Sequence, residues 1–170
     1  MDRLSHSFFT QDALALAPQL LGTLLCREVD GNVLKLRITE TESYCGEADT
    51  ACHAHKGRTA RTQIMYGPGG RAYIYLCYGI HYLLNVVAGP EEQPEAVLIR
   101  GVSGFSGPGR LTKALHIDKS LNGENLIESA RLWIETDGAT LPFQVTPRIG
   151  IAYATPEYRD KPWRFVAKNP

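Results

Sequence analysis

Two stretches with a two-residue period, Thr23 to Val29 and Val33 to Ser43, are separated only by Asp30-Gly31-Asn32. A turn of that composition between two alternating runs closes an antiparallel hairpin, because Asp, Gly and Asn tolerate the backbone angles of a tight β-turn. The pairing commits the first part of the chain to an antiparallel sheet and excludes an all-helical fold. Further strands are expected at Ala72 to Tyr78 and Tyr82 to Ala88, linked at Gly79, and at Ala96 to Val102, Arg131 to Glu135 and Ile149 to Ala154. A helix from Thr10 as its cap to about Leu21 would bury Leu14, Ala17, Leu20 and Leu21, with Gly22 ending it and Pro18 disturbing it. Pro108 to Ile117 reads as a second, short helix. No repeat or low-complexity tract interrupts the pattern, and 170 residues with 44% hydrophobic content suffice for one core. The expected fold class is therefore α+β: a single domain over residues 1–170, a mainly antiparallel curved β-sheet with a few helices and a protruding β-hairpin.

Eighteen Lys and Arg balance eighteen Asp and Glu, which excludes a polyelectrolyte of the histone kind. The charge is segregated, however. Thr50 to Pro90 carries no acid but holds Lys56, Arg58, Arg61 and Arg71 with His53, His55 and His81, and Ala96 to Ile117 is acid-free with Arg100, Arg110 and Lys113. Such segregation suits a partner with phosphates, or reflects chance. Cys26, Cys45, Cys52 and Cys77 form no Cys-x-x-Cys pair, as expected of reduced thiols, and no leader or membrane span is legible.

Strict alternation along Val33 to Ser43 sets Leu34, Leu36, Ile38, Glu40, Glu42 and Tyr44 on one face, so two carboxylates continue an apolar stripe. A Glu in line with core residues is either paired with a cation or kept as a general base, and the pattern leaves open which of Glu40 and Glu42 meets a cleft. From Tyr73 to Tyr82 four tyrosines fall within ten residues, with Tyr78 beside Gly79 at the predicted turn. Aromatic β-propensity accounts for Tyr within strands; an aromatic at a hairpin tip also fits a wedge between base pairs, with its neighbours stacking an extruded base. Cys45, Cys52, His53 and His55 do not have structural-zinc spacing, and Gly67-Pro68-Gly69-Gly70 lacks the Lys and Ser/Thr of a phosphate loop. Arg110, early in the predicted second helix, is placed to meet a phosphate, or simply marks a loop-to-helix junction.

Six blocks in order resemble the alkyladenine (3-methyladenine or methylpurine) DNA glycosylases of the mammalian type. They are Phe8-Phe9 with Leu14 to Ala17 and Leu20-Leu21-Gly22; Glu40 to Tyr44; Ala51-Cys52-His53; Tyr73 to Gly79 continuing to Asn85; Val97 to Arg100 with Gly107 to Leu115; and Pro147 to Ile151 with Pro162 to Phe165. The resemblance implies a monofunctional enzyme that flips alkylated purines, with deaminated ones as a further class, out of double-stranded DNA and hydrolyses the N-glycosidic bond. It casts Glu42 as the general base toward water, with Arg100 and the backbone carbonyl of Ile149 holding that water. Tyr44, His53 and Tyr75 would sandwich the base, the His53 backbone N–H would read the purine edge while its imidazole contacts a phosphate or sugar, and Asn85 would exclude guanine's exocyclic amino group. Tyr78 would fill the hole in the duplex and Arg110 would contact a phosphate. The resemblance implies no metal, no organic cofactor, no Schiff-base amine and so no strand cleavage.

The chain departs from the family at Gly101 to Phe105, a connection shorter than relatives carry, and His81 and Leu83 occupy variable hairpin positions. The expected partner is double-stranded DNA containing damaged purines, with no membrane, and the protein is expected to be a monomer. Its expected location is the cytoplasm beside the nucleoid in a bacterium, or the nucleus in a eukaryote. Two rivals stand against this reading: a catalytically weak module that binds damaged DNA, and a carbohydrate hydrolase using Glu40 and Glu42 as a carboxylate pair about 6.5 Å apart.

Overall fold

The computed structural model describes residues 1–170 and is organised around one strand that serves two halves of a sheet. In chain order the elements are β1 (Asp2–Arg3), α1 (His6–Phe9), α2 (Ala13–Leu20), β2 (Leu24–Val29), β3 (Asn32–Cys45), β4 (Ala72–Cys77) and β5 (His81–Ala88), followed by β6 (Glu95–Val102), β7 (Phe105–Ser106), α3 (Pro108–Ala114), β8 (Leu132–Thr136), β9 (Phe143–Thr146), α4 (Pro156–Arg159) and β10 (Arg164–Ala167). Short 3₁₀ turns lie at His53–Lys56, Thr62–Tyr66 and Lys119–Leu121. The strands run β1-β8-β2-β3-β6-β5-β4, with β10 on β3, β9 on β10 and β7 on β6, and every pairing is antiparallel. This is the expected α+β class, an open curved antiparallel sheet.

The β2–β3 hairpin closes through Asp30 and Gly31 alone, since Val29 already pairs with Asn32. Both turn residues have positive φ, 51° and 82°, as the tight mirror-image turn demands. Beyond that turn, the 14-residue β3 changes partners along its length: Asn32 to Arg37 pair with β2, while Glu40 to Cys45 pair with β6, and Glu40 to Glu42 also pair with β10.

The handover is marked by register shifts between Ile38 and Thr41. An extra residue in a strand reverses which face later side chains take. Leu36 and Ile38 accordingly pack with the main core, while farther along it is Thr41 and Ser43 that turn to that side, their hydroxyls donating to the carbonyls of Ala17 and Ala13 in α2. Glu40, Glu42 and Tyr44 are left on the opposite face. The unbroken stripe from Leu34 to Tyr44 drawn by strict alternation is thus corrected: the carboxylates do not continue the core face, because the irregularity inverts the pattern just before them.

The core joins Phe9, Leu16, Leu20, Ile38, Ile74, Leu84, Ile99, Leu111 and Leu115, among others, between the sheet and the helices. The first long helix begins at Asp12 rather than Thr10, the Asp12 carboxylate accepting from the Ala15 N–H, and Leu16 rather than Leu14 faces inward. Ile149 to Ala154 is a loop instead of a strand, and the sequence does not reveal β10, which lies between β3 and β9, or β9 beyond it. Leu16→Ala is expected to lower unfolding free energy by about 3 kcal/mol and Leu14→Ala by less than about 1 kcal/mol, checked by urea denaturation.

Candidate active site

On the face of the sheet turned away from α2, a cavity of about 480 Å³ opens between the β4–β5 hairpin, the start of α3 and the loop after β9. Tyr44, His53, Tyr73, Tyr75, Asn85, Arg100 and Ile149 are among its walls, with Tyr78 and Arg110 on its rim. Every residue to which the family resemblance assigns a role, except Glu42, therefore lines one hollow. Glu42 lies directly behind the wall: it has no solvent exposure, and the groups touching its carboxylate are wall residues.

The Tyr44 hydroxyl donates to Glu42 Oε1 at 2.9 Å, the Ile149 N–H donates to Oε2 at 2.7 Å, and Arg100 Nη1 stands 3.8 Å from Oε1. Ile149 thus contacts the Glu42 carboxylate through its backbone N–H. Burial pushes the Glu42 carboxyl above the usual range, opposed by Arg100, the Ile149 N–H, the Tyr44 hydroxyl and Arg148. Both oxygens hold a hydrogen bond, yet a carboxylate has about four acceptor positions, so capacity for a further donor remains.

Glu40 differs although it shares the face. Its Oε1 accepts from Arg100 Nε at 3.1 Å and from Arg164 Nε at 2.5 Å, and Arg164 reaches it from β10. Of the two glutamates left open by the sequence, Glu40 is the one tied to cations and Glu42 the one beside the cavity. That division removes the basis for a pair of working carboxylates, because Glu40 holds the two guanidinium groups in place.

His53 opens the 3₁₀ turn after β3, with its ring 4.5 Å from Tyr75 and its Nδ1 2.8 Å from the Tyr73 hydroxyl. Burial, with Arg61 and Lys56 nearby, lowers its pKa to about 4, so the imidazole is neutral at physiological pH. Asn85 on β5 is buried and fixed by donating Nδ2 to the Tyr73 carbonyl at 3.1 Å. The guanidinium of Arg61 lies 5.0 Å over the Tyr75 ring. A second, more polar hollow of about 400 Å³ shares His53, Ala51 and Tyr153 with the first and contains Lys56 and Arg61, neither of which has a carboxylate partner.

Tyr78 is 90% exposed at the tip between β4 and β5, with Leu76 and Ile80 exposed beside it. Cys77 pairs with His81, which leaves a three-residue loop whose first two residues, Tyr78 and Gly79, have positive φ. Arg110 is exposed on α3 across the opening. Cys45, Cys52, His53 and His55 do not converge as a ligand set; His55 Nδ1 instead meets the Glu47 carbonyl.

Sequence reasoning missed Tyr73 as the partner of His53, Tyr153 as a wall of both hollows, and the buried pair Asp49 and Arg148. Arg148 was visible only as one letter in a matching block, since nothing local to the chain says that a residue 99 positions away neutralises it.

The family model described as methylpurine-DNA glycosylase (MPG) matches residues 7–106 and 102–170. The two segments meet at 102–106, within the tight hairpin that joins β6 to β7, where a shortened connection was expected. Proteins named, by inference, 3-methyladenine DNA glycosylase are similar over nearly the whole chain. One from Natranaerobius thermophilus is 41% identical over 98% of this chain and 96% of its own length. Another, from Nitrosococcus oceani, is 43% identical over 99% and 92%. A third, from Psychrobacter cryohalolentis, is 44% identical over 87% and 84%. These relatives are bacterial and support the family without the mammalian qualifier. No helix is long and apolar enough to cross a membrane.

The His53 ring is expected to titrate with a midpoint near 4 in an NMR pH series, and Arg61→Gln should move that midpoint upward by removing a nearby positive charge. Since the unfolded chain binds this proton near 6.5 and the folded one near 4, the stability tied to neutral His53 should be lost as pH falls between those values.

Proposed function

The chain belongs to the methylpurine-DNA glycosylase family, and from that premise we propose that it releases alkylated purines from double-stranded DNA by hydrolysing the N-glycosidic bond, with Glu42 as the general base. The observation that carries the reading is a buried carboxylate of raised pKa set behind the wall of a cavity lined by Tyr44, His53 and Tyr75.

In the proposed sequence of events Tyr78 enters the duplex where the damaged nucleotide leaves, and Arg110 steadies the backbone through a phosphate. Lys56 and Arg61, beside the second hollow, add positive potential along the same strand. The extruded base enters between Tyr44 and the His53–Tyr75 pair. An alkylated adenine carries positive charge and stacks well against electron-rich tyrosine rings. Neutral His53 adds no charge to that slot. Asn85, fixed by Tyr73, blocks the space a purine 2-amino group would need.

Water reaches Glu42 from the cavity side, past Arg100 and the Ile149 backbone. The carboxylate takes its proton as oxygen attacks the sugar carbon, while the negative charge of Glu42 stabilises the oxocarbenium character developing there. The base departs with the bonding electrons, leaving an abasic site. No amine attacks the sugar in this scheme, so the product strand stays intact, and the chemistry calls on no metal or organic cofactor. The reading treats residues 1–170 as one glycosylase domain acting as a monomer.

Incubation with a duplex containing one alkylated adenine, followed by hot alkali, should cut the strand at the lesion; retained binding without cutting would favour a damage-binding module. Glu42→Gln should reduce base release by about a thousandfold or more while keeping lesion binding, because shape survives and only the proton acceptor is lost. Parallel loss of both activities would make Glu42 structural. Tyr78→Ala should weaken lesion binding and leave the single-turnover rate at saturating protein nearly unchanged; intact binding would remove the wedge from the scheme.

A further inference from the structure

The scheme above leaves unused a pair of opposite charges whose side chains are fully buried. Asp49 and Arg148 have no solvent exposure and form a two-pronged ion pair, Nη1 to Oδ2 at 2.6 Å and Nη2 to Oδ1 at 3.0 Å. Such pairs rarely account for stability, since well-packed apolar residues in their place are often as good or better. What this pair touches is more informative. Arg148 Nη1 also donates to the Ser43 carbonyl, at 3.0 Å, and Nη2 to the Tyr158 carbonyl, at 3.1 Å. Its guanidinium centre lies 4.8 Å from the Tyr44 ring and 5.0 Å from the Trp163 ring. Its Nε has no partner, so the group is seated by the two rings and the fork rather than by full hydrogen bonding. Asp49 is anchored in turn, accepting from the N–H groups of Cys45 and Ala51.

Ser43 and Tyr44 are the two residues that follow Glu42, and Ile149 is the residue that follows Arg148. The two direct hydrogen bonds to the Glu42 carboxylate, from the Tyr44 hydroxyl and the Ile149 N–H, therefore both come from groups that Arg148 holds. We propose that the Asp49–Arg148 pair is the positioning device of the active site, stapling the 147–151 loop to the end of β3 so that the Glu42 carboxylate is aimed at the cavity. Asp49 and Arg148 are positioning residues: neither lines the cavity. The inference rests on the reading of Glu42 as general base.

The test compares wild type, Arg148→Lys, Asp49→Asn and Glu42→Gln on the duplex with one alkylated adenine. Three quantities are read: lesion-duplex dissociation constant, single-turnover rate with protein in excess, and the acid limb of the rate against pH. Facing Glu42 are Tyr44 and Glu40 on β3, Arg100 on β6, Arg164 on β10, and Tyr153 and Arg148 with Asp49 from the loops, so the limb reports their sum. A misplacement of about 1 Å costs about a hundredfold in rate, so Arg148→Lys should lose about that much with binding changed less than about threefold. Its acid limb should move to higher pH, because the carboxylate loses donors that favour its ionised form. Asp49→Asn should shift rate and limb in the same directions. Unchanged rate and limb in a variant with a native-like unfolding transition would overturn the proposal, as would rate and binding falling together. Loss of cooperative unfolding in both variants would also overturn it, making the pair a folding element alone. If Glu42→Gln releases base at the wild-type rate, the general-base reading itself fails; if Glu42→Gln is inactive and Arg148→Lys is not impaired, only the positioning role fails.

Discussion

Glu42 is a charge kept out of water, and much of the molecule is arranged around the cost of keeping it there. An isolated carboxylate in such a place would protonate. Here desolvation is opposed from three directions: a guanidinium from β6, a phenol from its own strand and a backbone N–H from a loop more than a hundred residues away. The opposition is incomplete, and the carboxyl remains easier to protonate than one in solvent. In the proposed role, a carboxyl held in this way takes a proton more readily than a solvated glutamate does. Glu40 shares Arg100 with Glu42 and also binds Arg164, so the guanidinium facing Glu42 is itself held by a second carboxylate.

The irregularity in β3 makes this geometry possible. A regular strand would point the carboxylates at α2, into the packing of Leu16 and Leu20. The register shift turns them to the other side while the small hydroxyls of Thr41 and Ser43 take the helix face and satisfy its carbonyls. One strand thereby belongs to the core for its first half and borders the cavity with its second.

Much of this was legible in the residues. The Asp30-Gly31 turn, the pairs of strands around it and around Gly79, and the short helix after Pro108 rest on local rules of turn and period, and those rules held. The residues to which the matching blocks assign roles converge on one hollow, with Glu42 just behind its wall. Parity along β3 was not legible, because a bulge is set by the partners β6 and β10, which the strand's own letters do not reveal. Leu14 against Leu16 is a local difference: Ala17, Leu20 and Leu21 are buried as the spacing predicts, but in the turn after the Asp12 cap Ala13 and Leu16 complete that face and Leu14 points out. The role of Arg148 was not legible, since a buried charge is recognisable only once its counter-charge is found.

The hairpin tip carries a final consequence. Tyr78 holds a φ of 52°, in the left-handed region where a residue with a Cβ is strained by roughly 1–2 kcal/mol and where Asn or Gly would be more at ease. Its ring also stands in water with Leu76 and Ile80 for neighbours. By both measures the free protein would be more robust with a smaller, more polar residue there. Selection for heat resistance or solubility alone would favour replacing it, so the tyrosine at this tip is a concession of ruggedness that neither folding nor solubility requires.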